Sequence, residues 1–178
     1  MTAVPEAREV EGDGLLLRPW RSADLPQLEV IAKDPEILRW NPIAKPTVEE
    51  WLVVRGEWDS GEHASWAVTS IDDHDLLLGA ISLHHIDLEQ ANSEVGYWVA
   101  PASRGRGVAT RALRVAAAFG FEVLGLRRVH LFHAVENEGS CGVATAAGFP
   151  NEGTHRQSYR FGDGRWHDEH SHARLNDD

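Results

Sequence analysis

The strongest constraint in this sequence is a strand-like run that leads through a glycine-rich turn directly into a long helical run. The strand-like residues 94–100 end at the turn Pro101-Ala102-Ser103-Arg104-Gly105-Arg106-Gly107, and a helical pattern continues to about residue 124. At such a junction the first backbone N–H groups of the helix are unbonded and attract an anion. Glycine allows the tight turn and a close approach to the backbone. The junction therefore predicts an anion-binding site, to which Arg104 and Arg106 add positive charge.

Other interpretations of the turn differ in how well they fit its surroundings. A glycine-rich connector with solvated arginines is the plain alternative, and the turn by itself does not exclude it. A dinucleotide-binding turn would place Gly or Ala where Thr110 stands, and it would follow an early strand in a series of parallel βαβ units. A Walker loop would end in Gly-Lys-Ser or Gly-Lys-Thr, which this sequence lacks. The flanking pattern favours a phosphate site of another kind.

The segments around the turn predict a mixed architecture. Strand-like runs at residues 65–71, 76–86 and 94–100 are separated by polar turns, which indicates an antiparallel meander. Upstream, residues 14–20 predict a first strand after a polar tail at residues 1–13. The other predicted elements are a helix capped by Ser22 or Asp24, helices at about 35–40 and 47–58, a strand at 128–135, a helix at 138–147 and a closing hairpin that turns at 161–165.

Composition limits the class of protein. A chain of 178 residues with 42% hydrophobic and 25% charged residues predicts one folded domain over residues 1–178. The net charge of −11 argues against a nucleic-acid partner and favours cationic partners such as amines, although acidity also serves solubility alone. Cys141 is the only cysteine, which excludes an intrachain disulfide and a CxxC zinc cage. Without a signal-like or membrane-length apolar run, we expect a cytoplasmic protein with no membrane contact.

The motif Arg104-x-x-Gly107-x-Ala109, preceded by Glu94-Val95-Gly96-Tyr97-Trp98-Val99, resembles the acyl-CoA signature of the GNAT superfamily of N-acetyltransferases. The resemblance is greatest to the RimJ/RimL-like branch of ribosomal-protein-alanine acetyltransferases, and it continues through Asn137-x-x-Ser140 to the final hairpin. It implies an α/β (α+β) GNAT fold, in which a mixed, mostly antiparallel sheet of about seven strands is flanked by about four helices. It also implies acetyl-CoA as the co-substrate.

The resemblance assigns the cofactor contacts mainly to the backbone. It places the pyrophosphate on amides from about Arg106 to Thr110, and the pantetheine arm along the strand end at Trp98, Val99 and Ala100. Asn137 matches a residue whose side-chain amide contacts pantetheine, and a helix N-cap is an equally good interpretation of it. The predicted cofactor site thus comprises Trp98, Val99, Arg104, Gly105, Arg106, Gly107, Val108, Ala109, Thr110, Asn137 and Ser140.

Transfer to an amine needs a base, a donor to the carbonyl oxygen and stabilisation of the leaving thiolate. Strand alternation places Glu94 on one face with Gly96 and Trp98, and we predict that Glu94 acts as the base through a water; the alternative is an anchor for the substrate ammonium. The resemblance implies a backbone N–H near Val99 as the donor to the oxygen. Tyr97 is a further candidate for the acid, but alternation points it to the face opposite Glu94, and we interpret it as core.

The acid is predicted to be Ser140. Many members of the family carry a tyrosine seven positions after the asparagine, and here that position is Ala144. Ser140 stands where the RimJ/RimL-like branch commonly has serine, in the first turn of a helix, where the dipole favours negative charge. A helix-end cap is the alternative role. An acyl-enzyme on the adjacent Cys141 is disfavoured, because no histidine is obviously placed to activate it.

Two further sets of residues are considered as contacts for an acceptor or a metal ion. Trp40, beside Asn41-Pro42, is the predicted contact for the acceptor. His170 and His172 share a strand face, but no third ligand is evident in the sequence, and we expect no metal.

Two functions remain open from the sequence. The leading one is transfer of an acetyl group from acetyl-CoA to a primary amine, either a small molecule or a protein N-terminus, by direct attack in a ternary complex. The other is a non-catalytic CoA-binding or regulatory module, which the alanine at position 144 favours. The sequence leaves the oligomeric state open, and a homodimer suits the fold.

Overall fold

A computed structural model describes residues 5–43, 46–58 and 60–178. Eight strands and five α-helices alternate along this part of the chain, with 3-10 turns at Ser22–Asp24 and Pro101–Ser103. In chain order the elements are β1 Val10–Gly12, β2 Leu15–Arg18, α1 Leu25–Ile31, α2 Pro35–Trp40, α3 Val48–Gly56, β3 His63–Ser70, β4 Gly79–Asp87, β5 Asn92–Val99, α4 Val108–Glu122, β6 Arg128–Ala134, α5 Glu138–Ala146, β7 Asn151–Arg160 and β8 Trp166–Leu175.

All eight strands form one sheet in the order β1-β2-β3-β4-β5-β6-β8-β7. Neighbouring strands are antiparallel except β5 and β6, which are parallel. The predicted meander and closing hairpin are therefore confirmed, and the sheet has one strand more than the seven expected. The additional strand β1 lies inside the segment predicted as a polar tail, where it pairs with β2, and the first four residues of that tail lie outside the described residues.

The parallel pair in the centre of the sheet is short. Only Asn92, Ser93 and Glu94 of β5 pair with β6, opposite Arg128, Val129 and His130. Beyond this point β5 continues to Val99 and β6 to Ala134 without pairing with each other, because the two strands diverge. This divergence opens a groove in the middle of the sheet.

The helices cover both faces of the sheet. On one face α4 packs with apolar residues of β2–β6 and with α5 in a cluster that includes Leu83, Leu113 and Phe149. On the other face α1–α3 enclose a second cluster around Leu28 and Trp98. The apolar stripe of α4 is buried at positions 112, 115, 116 and 119, whereas Val123, just after the helix, is 38% exposed.

The helices on the groove side of the sheet differ in their caps. Asp34 caps α2 by accepting a hydrogen bond from the amide of Ile37, at 3.1 Å. Asp24, one of the two residues predicted to cap the first helix, is the N-cap residue of α1 but makes no side-chain cap bond to it. Its carboxylate instead binds the buried Arg18 guanidinium through two hydrogen bonds of 2.7 and 2.9 Å. This buried ion pair fixes the chain as it leaves β2.

Candidate active site

A groove of about 730 Å³ lies where β5 and β6 diverge, walled by α2, the start of α4 and the start of α5. Arg106 and Glu94 are not among its lining residues. The predicted site residues that line it are Trp40, Trp98, Val99, Arg104, Gly105, Gly107, Val108, Ala109, Thr110, Asn137 and Ser140. One cavity therefore collects most of the residues that the sequence singled out.

The start of α4 presents free backbone amides to the groove. Gly107 is the N-cap and has no side chain to cap the helix, and the amide of Arg111 makes the first bond, to the carbonyl of Gly107 at 3.1 Å. The amides of Val108, Ala109 and Thr110 precede that bond, so they are available to an anion. Gly107 has φ of +70°, a conformation that residues other than glycine adopt only with strain. Backbone geometry thus supplies the predicted anion site.

The two arginines of the turn do less than the sequence suggested. The guanidinium of Arg104 forms an ion pair with Asp34, the residue that caps α2. The hydrogen bond from Arg104 lowers the pKa of Asp34 below its ordinary value, although burial acts in the opposite direction. Arg106 is exposed and lies outside the groove lining. Arg104 therefore connects the turn to α2, and much of its charge is already balanced.

The edge of β5 that faces the groove offers unpaired backbone groups. Ala100 donates its amide hydrogen to the carbonyl of Leu78, so its backbone points toward β4. Backbone direction alternates along a strand, which turns Tyr97 and Val99 toward the opposite edge. The carbonyl of Tyr97 does accept a hydrogen bond from that side, from the side chain of Asn41 at 3.3 Å. The amide of Val99 thus faces the groove.

At the start of α5, Asn137 acts as the N-cap that its alternative interpretation predicted. Its side-chain oxygen accepts a hydrogen bond from the amide of Ser140 at 3.1 Å. Because Asn137 caps this amide, the hydroxyl of Ser140 is not needed at the helix end. The side-chain NH2 group of Asn137 remains available in the groove wall.

The hydroxyl of Ser140 binds a residue that the sequence had assigned to the core. The hydroxyl oxygens of Tyr97 and Ser140 are 2.8 Å apart, and the carbonyl of Ser140 lies 3.4 Å from the Tyr97 hydroxyl. Tyr97 does point to the face opposite Glu94, as alternation predicted, but its hydroxyl crosses the gap between β5 and α5. Tyr97 packs against the main core cluster, as predicted, and it lines the groove as well, which the prediction did not include. Burial raises the pKa of Tyr97 to about 12, against the opposing effect of Ser140, so the phenol keeps its proton.

Glu94 lies where β5 still pairs with β6, and two histidines of β4 hold its carboxylate. One carboxylate oxygen is 3.2 Å from Nε2 of His84, and the other is 3.4 Å from Nδ1 of His85. Burial by itself would raise the pKa of Glu94, but the hydrogen bonds and charge of the histidines outweigh it and lower the pKa below its ordinary value. Glu94 is thus a fixed, ionised carboxylate at neutral pH.

A second carboxylate, on the face of the sheet that carries Glu94, was not predicted from the sequence. Glu169 on β8 is 9% exposed and accepts a hydrogen bond from the hydroxyl of Ser158 at 2.7 Å. Burial raises the pKa of Glu169; the bond from Ser158 opposes this shift, and the charge of Glu94 adds to it. The alternation of β8 was a usable signal, since Glu169 falls between His170 and Asp168 on the opposite face of the strand.

Trp40 closes the end of the groove next to the β7–β8 turn. Its indole N–H donates to Glu36 at 3.0 Å, and its ring packs edge-on against Phe161 and His167, with centroid distances of 5.3 and 5.6 Å. The turn approaches closely, because the amide of Gly162 donates to the carbonyl of Arg39 at 2.8 Å. Trp40, the last residue of α2, therefore belongs to an aromatic cluster at this end of the groove.

Carboxylates dominate the walls at this end. Glu36, Glu136 and Glu138 all line the groove. A hydrogen bond to its own backbone amide, and next the hydrogen bond that it accepts from Nδ1 of His167 at 3.1 Å, lower the pKa of Glu136. Arg39 also lines the groove, and its guanidinium lies 3.4 Å from Asp163. An acidic opening of this kind favours a positively charged ligand.

Comparison with known proteins gives the same picture. The profile of the family described as "Acetyltransferase (GNAT) domain" matches residues 14–150. A protein of Bacillus subtilis (strain 168) named "Putative ribosomal N-acetyltransferase YdaF" is 40% identical over 92 residues, which are 52% of this chain and 50% of that protein. Spermidine N(1)-acetyltransferase of Escherichia coli (strain K12) is 33% identical over 75 residues, or 42% of this chain and 40% of that protein. The chain thus spans about half the length of these curated relatives.

Solved structures extend the similarity to the whole fold. The structure of Mycobacterium smegmatis RimJ in complex with CoA-disulfide superposes with a TM-score of 0.82 at 24% identity, covering 99% of this chain and 91% of that one. Within the described residues, every helix is too short or too polar to span a membrane. Because the family profile matches residues 14–150, well over half of its length, the chain belongs to the GNAT acetyltransferase family.

Proposed function

We propose that this protein is an N-acetyltransferase that moves an acetyl group from acetyl-CoA to a primary amine in a ternary complex. One observation carries the proposal: a single groove joins free helix-start amides, an open strand edge and the hydrogen-bonded hydroxyls of Tyr97 and Ser140. Membership of the GNAT family and the similarity to named N-acetyltransferases support it.

The groove fits the donor. The amides of Val108, Ala109 and Thr110 suit a pyrophosphate, the edge at Val99 suits an extended amide-bearing arm, and Asn137 offers its side-chain NH2 group. When bound, acetyl-CoA supplies the acetyl group as a thioester. We assign the outward amide of Val99 as the hydrogen-bond donor to the carbonyl oxygen, where negative charge develops.

The Tyr97–Ser140 pair serves the leaving sulfur. A thiol has a pKa of about 8.5, so its thiolate is a good leaving group that a hydrogen bond can stabilise before solvent protonates it. Neither hydroxyl is an effective proton source: burial raises the pKa of Tyr97 to about 12, and a serine hydroxyl is a weaker acid than a phenol. Ser140 therefore stays the proposed residue on the acid side as a hydrogen-bond donor to the sulfur, and Tyr97 orients its hydroxyl. This pairing supplies the group that the alanine at position 144 lacks.

Glu94 is proposed as the base that receives the ammonium proton through a water. Its two histidine contacts fix the carboxylate, and Glu94 is the last residue of β5 that pairs with β6. Because Glu94 does not line the groove, the proposal needs a water to carry the proton. An anchoring role would affect binding of the acceptor, whereas a basic role affects turnover. Steady-state kinetics of Glu94→Gln therefore separate the two: we expect kcat to fall at least tenfold, with a smaller change in the acceptor KM.

The acceptor is proposed to be a cationic amine, either a small molecule such as a polyamine or the N-terminus of a protein. The support comes from the carboxylates Glu36, Glu136 and Glu138 in the groove wall. One of the relatives is named for the acetylation of spermidine, which is a cationic polyamine. We place the reaction in the cytoplasm.

Calorimetry and a thiol-release assay test the proposal together. The protein should bind CoA and release CoA thiol from acetyl-CoA in the presence of polyamines or N-terminal peptides. Ser140→Ala should bind CoA but turn over slowly, while Glu89→Gln, an exposed substitution on the β4–β5 turn, should match the wild type. Failure to bind CoA refutes the site. Binding of CoA with no turnover on any amine favours the non-catalytic module.

A further inference from the structure

A second cluster of reactive side chains lies outside the acetyl-transfer groove. His133 of β6, Cys141 of α5 and both His170 and His172 of β8 each present one ligand atom, and these four atoms all lie within 4.8 Å of one another. None of the four residues lines the groove. The strands provide the spacing, because His133 is opposite His170 in the β6–β8 register and His172 lies two positions further on the same face.

The hydrogen bonds of two of these histidines leave the lone pairs of their other nitrogens facing each other. Nδ1 of His133 lies 2.8 Å from the carbonyl of Ala134, and Nδ1 of His172 lies 2.9 Å from the carbonyl of Phe149. A carbonyl only accepts, so both Nδ1 atoms carry hydrogen. In the neutral rings both Nε2 atoms then present lone pairs, and these atoms are 3.2 Å apart. Two buried lone pairs at this distance repel unless a cation or an additional proton lies between them.

A third member of the cluster has an unpaired nitrogen. Nδ1 of His170 is buried and has no hydrogen-bond partner among the described residues. Burial of a polar atom without a hydrogen bond is unfavourable, so an unpaired nitrogen in a histidine cluster indicates a missing ligand. Cys141 is half-buried beside it and carries the chain's single thiol.

We infer that His133, Cys141, His170 and His172 bind one Zn²⁺ ion in a closed tetrahedral site. Imidazole nitrogens and a thiolate are ligands that zinc binds in proteins, and four of them complete a tetrahedral site. Ligand atoms in such a site are roughly 3.3–3.6 Å apart, as follows from Zn–N bonds of about 2.0–2.1 Å and a Zn–S bond of about 2.3 Å. The 3.2 Å between the two Nε2 atoms is close to this range. The remaining pairs lie within 4.8 Å, so they must contract by at most about 1.5 Å when the ion binds.

The surroundings match a metal site in a further respect. Zinc-binding histidines commonly donate their second N–H to a backbone carbonyl, which fixes the ring and the tautomer. His133 and His172 both do this. The proposed site differs from the prediction that the protein uses no metal. The sequence did not reveal it, because the other two ligands lie on β6 and α5, distant in sequence from the His170–His172 pair.

The ion would join α5 to the sheet. Cys141 directly follows Ser140, so a bond from its sulfur to a metal held by β6 and β8 fixes the turn of α5 that carries the Ser140 hydroxyl. With four protein ligands, the coordination is complete and leaves no position for a reacting water. Its role is therefore to stabilise the fold and hold α5 in place.

Metal content and Zn²⁺ titration test the inference on protein freed of any histidine tag. We expect about one zinc per chain by elemental mass spectrometry and a single tight site by calorimetry with Zn²⁺ alone. Cys141→Ser should weaken binding on the order of 100-fold. At 100 times its dissociation constant, Zn²⁺ should raise the Tm of the wild type by about 5–10 °C and that of the variant much less. Co²⁺ should give thiolate charge-transfer bands that Cys141→Ser removes.

His85→Gln is the matched control, because His85 belongs to the other histidine group, with His84 and Glu94. It should keep the tight zinc site. Should Cys141→Ser fail to fold, His170→Gln tests the same ligand set without disturbing a hydrogen bond. Absence of stoichiometric zinc, wild-type affinity in the folded ligand variants, or loss of zinc in His85→Gln would each overturn the inference; the first of these would leave a shared proton between His133 and His172.

Discussion

Replacing Gly107 tests whether backbone conformation creates the anion site. Gly107 has φ of +70°, and a Cβ built on it would meet nothing within 4 Å. The cost of Gly107→Ala is therefore conformational alone, about 1–2 kcal/mol for a left-handed residue. For a chain of this size that lowers Tm by about 2–8 °C. If the turn relaxes, at least one hydrogen bond from a backbone amide to the pyrophosphate is lost. Such a bond to a charged group contributes about 1.5–3 kcal/mol, so CoA affinity should fall about 10–100-fold.

Thermal unfolding and calorimetric titration with CoA measure both effects. Gly107→Asn should fall between glycine and alanine, because asparagine tolerates the left-handed region. Gly56→Ala is the control: Gly56 ends α3, has equally open space and no positive φ, so its Tm and CoA affinity should stay near those of the wild type. If Gly107→Ala keeps both the Tm and the CoA affinity of the wild type, the conformational argument is wrong.

Three more predictions concern the groove. Tyr97→Phe and Ser140→Ala should each lower kcat about tenfold, and the double variant should lose less than the product, since their hydroxyls share one hydrogen bond. Asp34→Asn should lower Tm at neutral pH; because Arg104 lowers the pKa of Asp34, this difference should persist above about pH 4 and vanish as the pH falls through the lowered pKa, measured by melts from pH 2 to 7. Because the pKa of Glu94 is lowered, kcat/KM between pH 5 and 8 should show no limb from it; a limb that Glu94→Gln removes would contradict this.

The sequence predicted local elements better than it predicted contacts. The meander, the long helix after Gly107 and the closing hairpin follow from short-range patterns, namely strand alternation, helical spacing and glycine turns. These patterns also located the groove, since the turn at residues 101–107 and the strand before it carry backbone geometry. The pairing of β5 with β6 over three residues depends on strands 36 positions apart, and no local pattern encodes where such strands diverge.

Side-chain partners were the main errors. Alternation placed Tyr97 on the correct face, but it did not reveal that α5 brings Ser140 within 2.8 Å of that face. Arg104 was predicted as a cation for the phosphate, and the cap of α2 claims much of its charge. In each case the decisive neighbour lies on a helix that is distant in sequence, which local patterns do not reveal.

The early divergence of β5 and β6 also bears on aggregation. An unpaired strand edge is a template on which another chain can add, and most proteins protect such edges at the outside of a sheet. Here the unpaired edge from Val95 to Val99 lies in the interior of an eight-stranded sheet, between walls formed by α2 and α5. A folded neighbour cannot lay a strand against it without displacing those helices, whereas a slender linear molecule can enter. The fold therefore leaves this strand edge open to a narrow ligand and blocks strand addition by another protein.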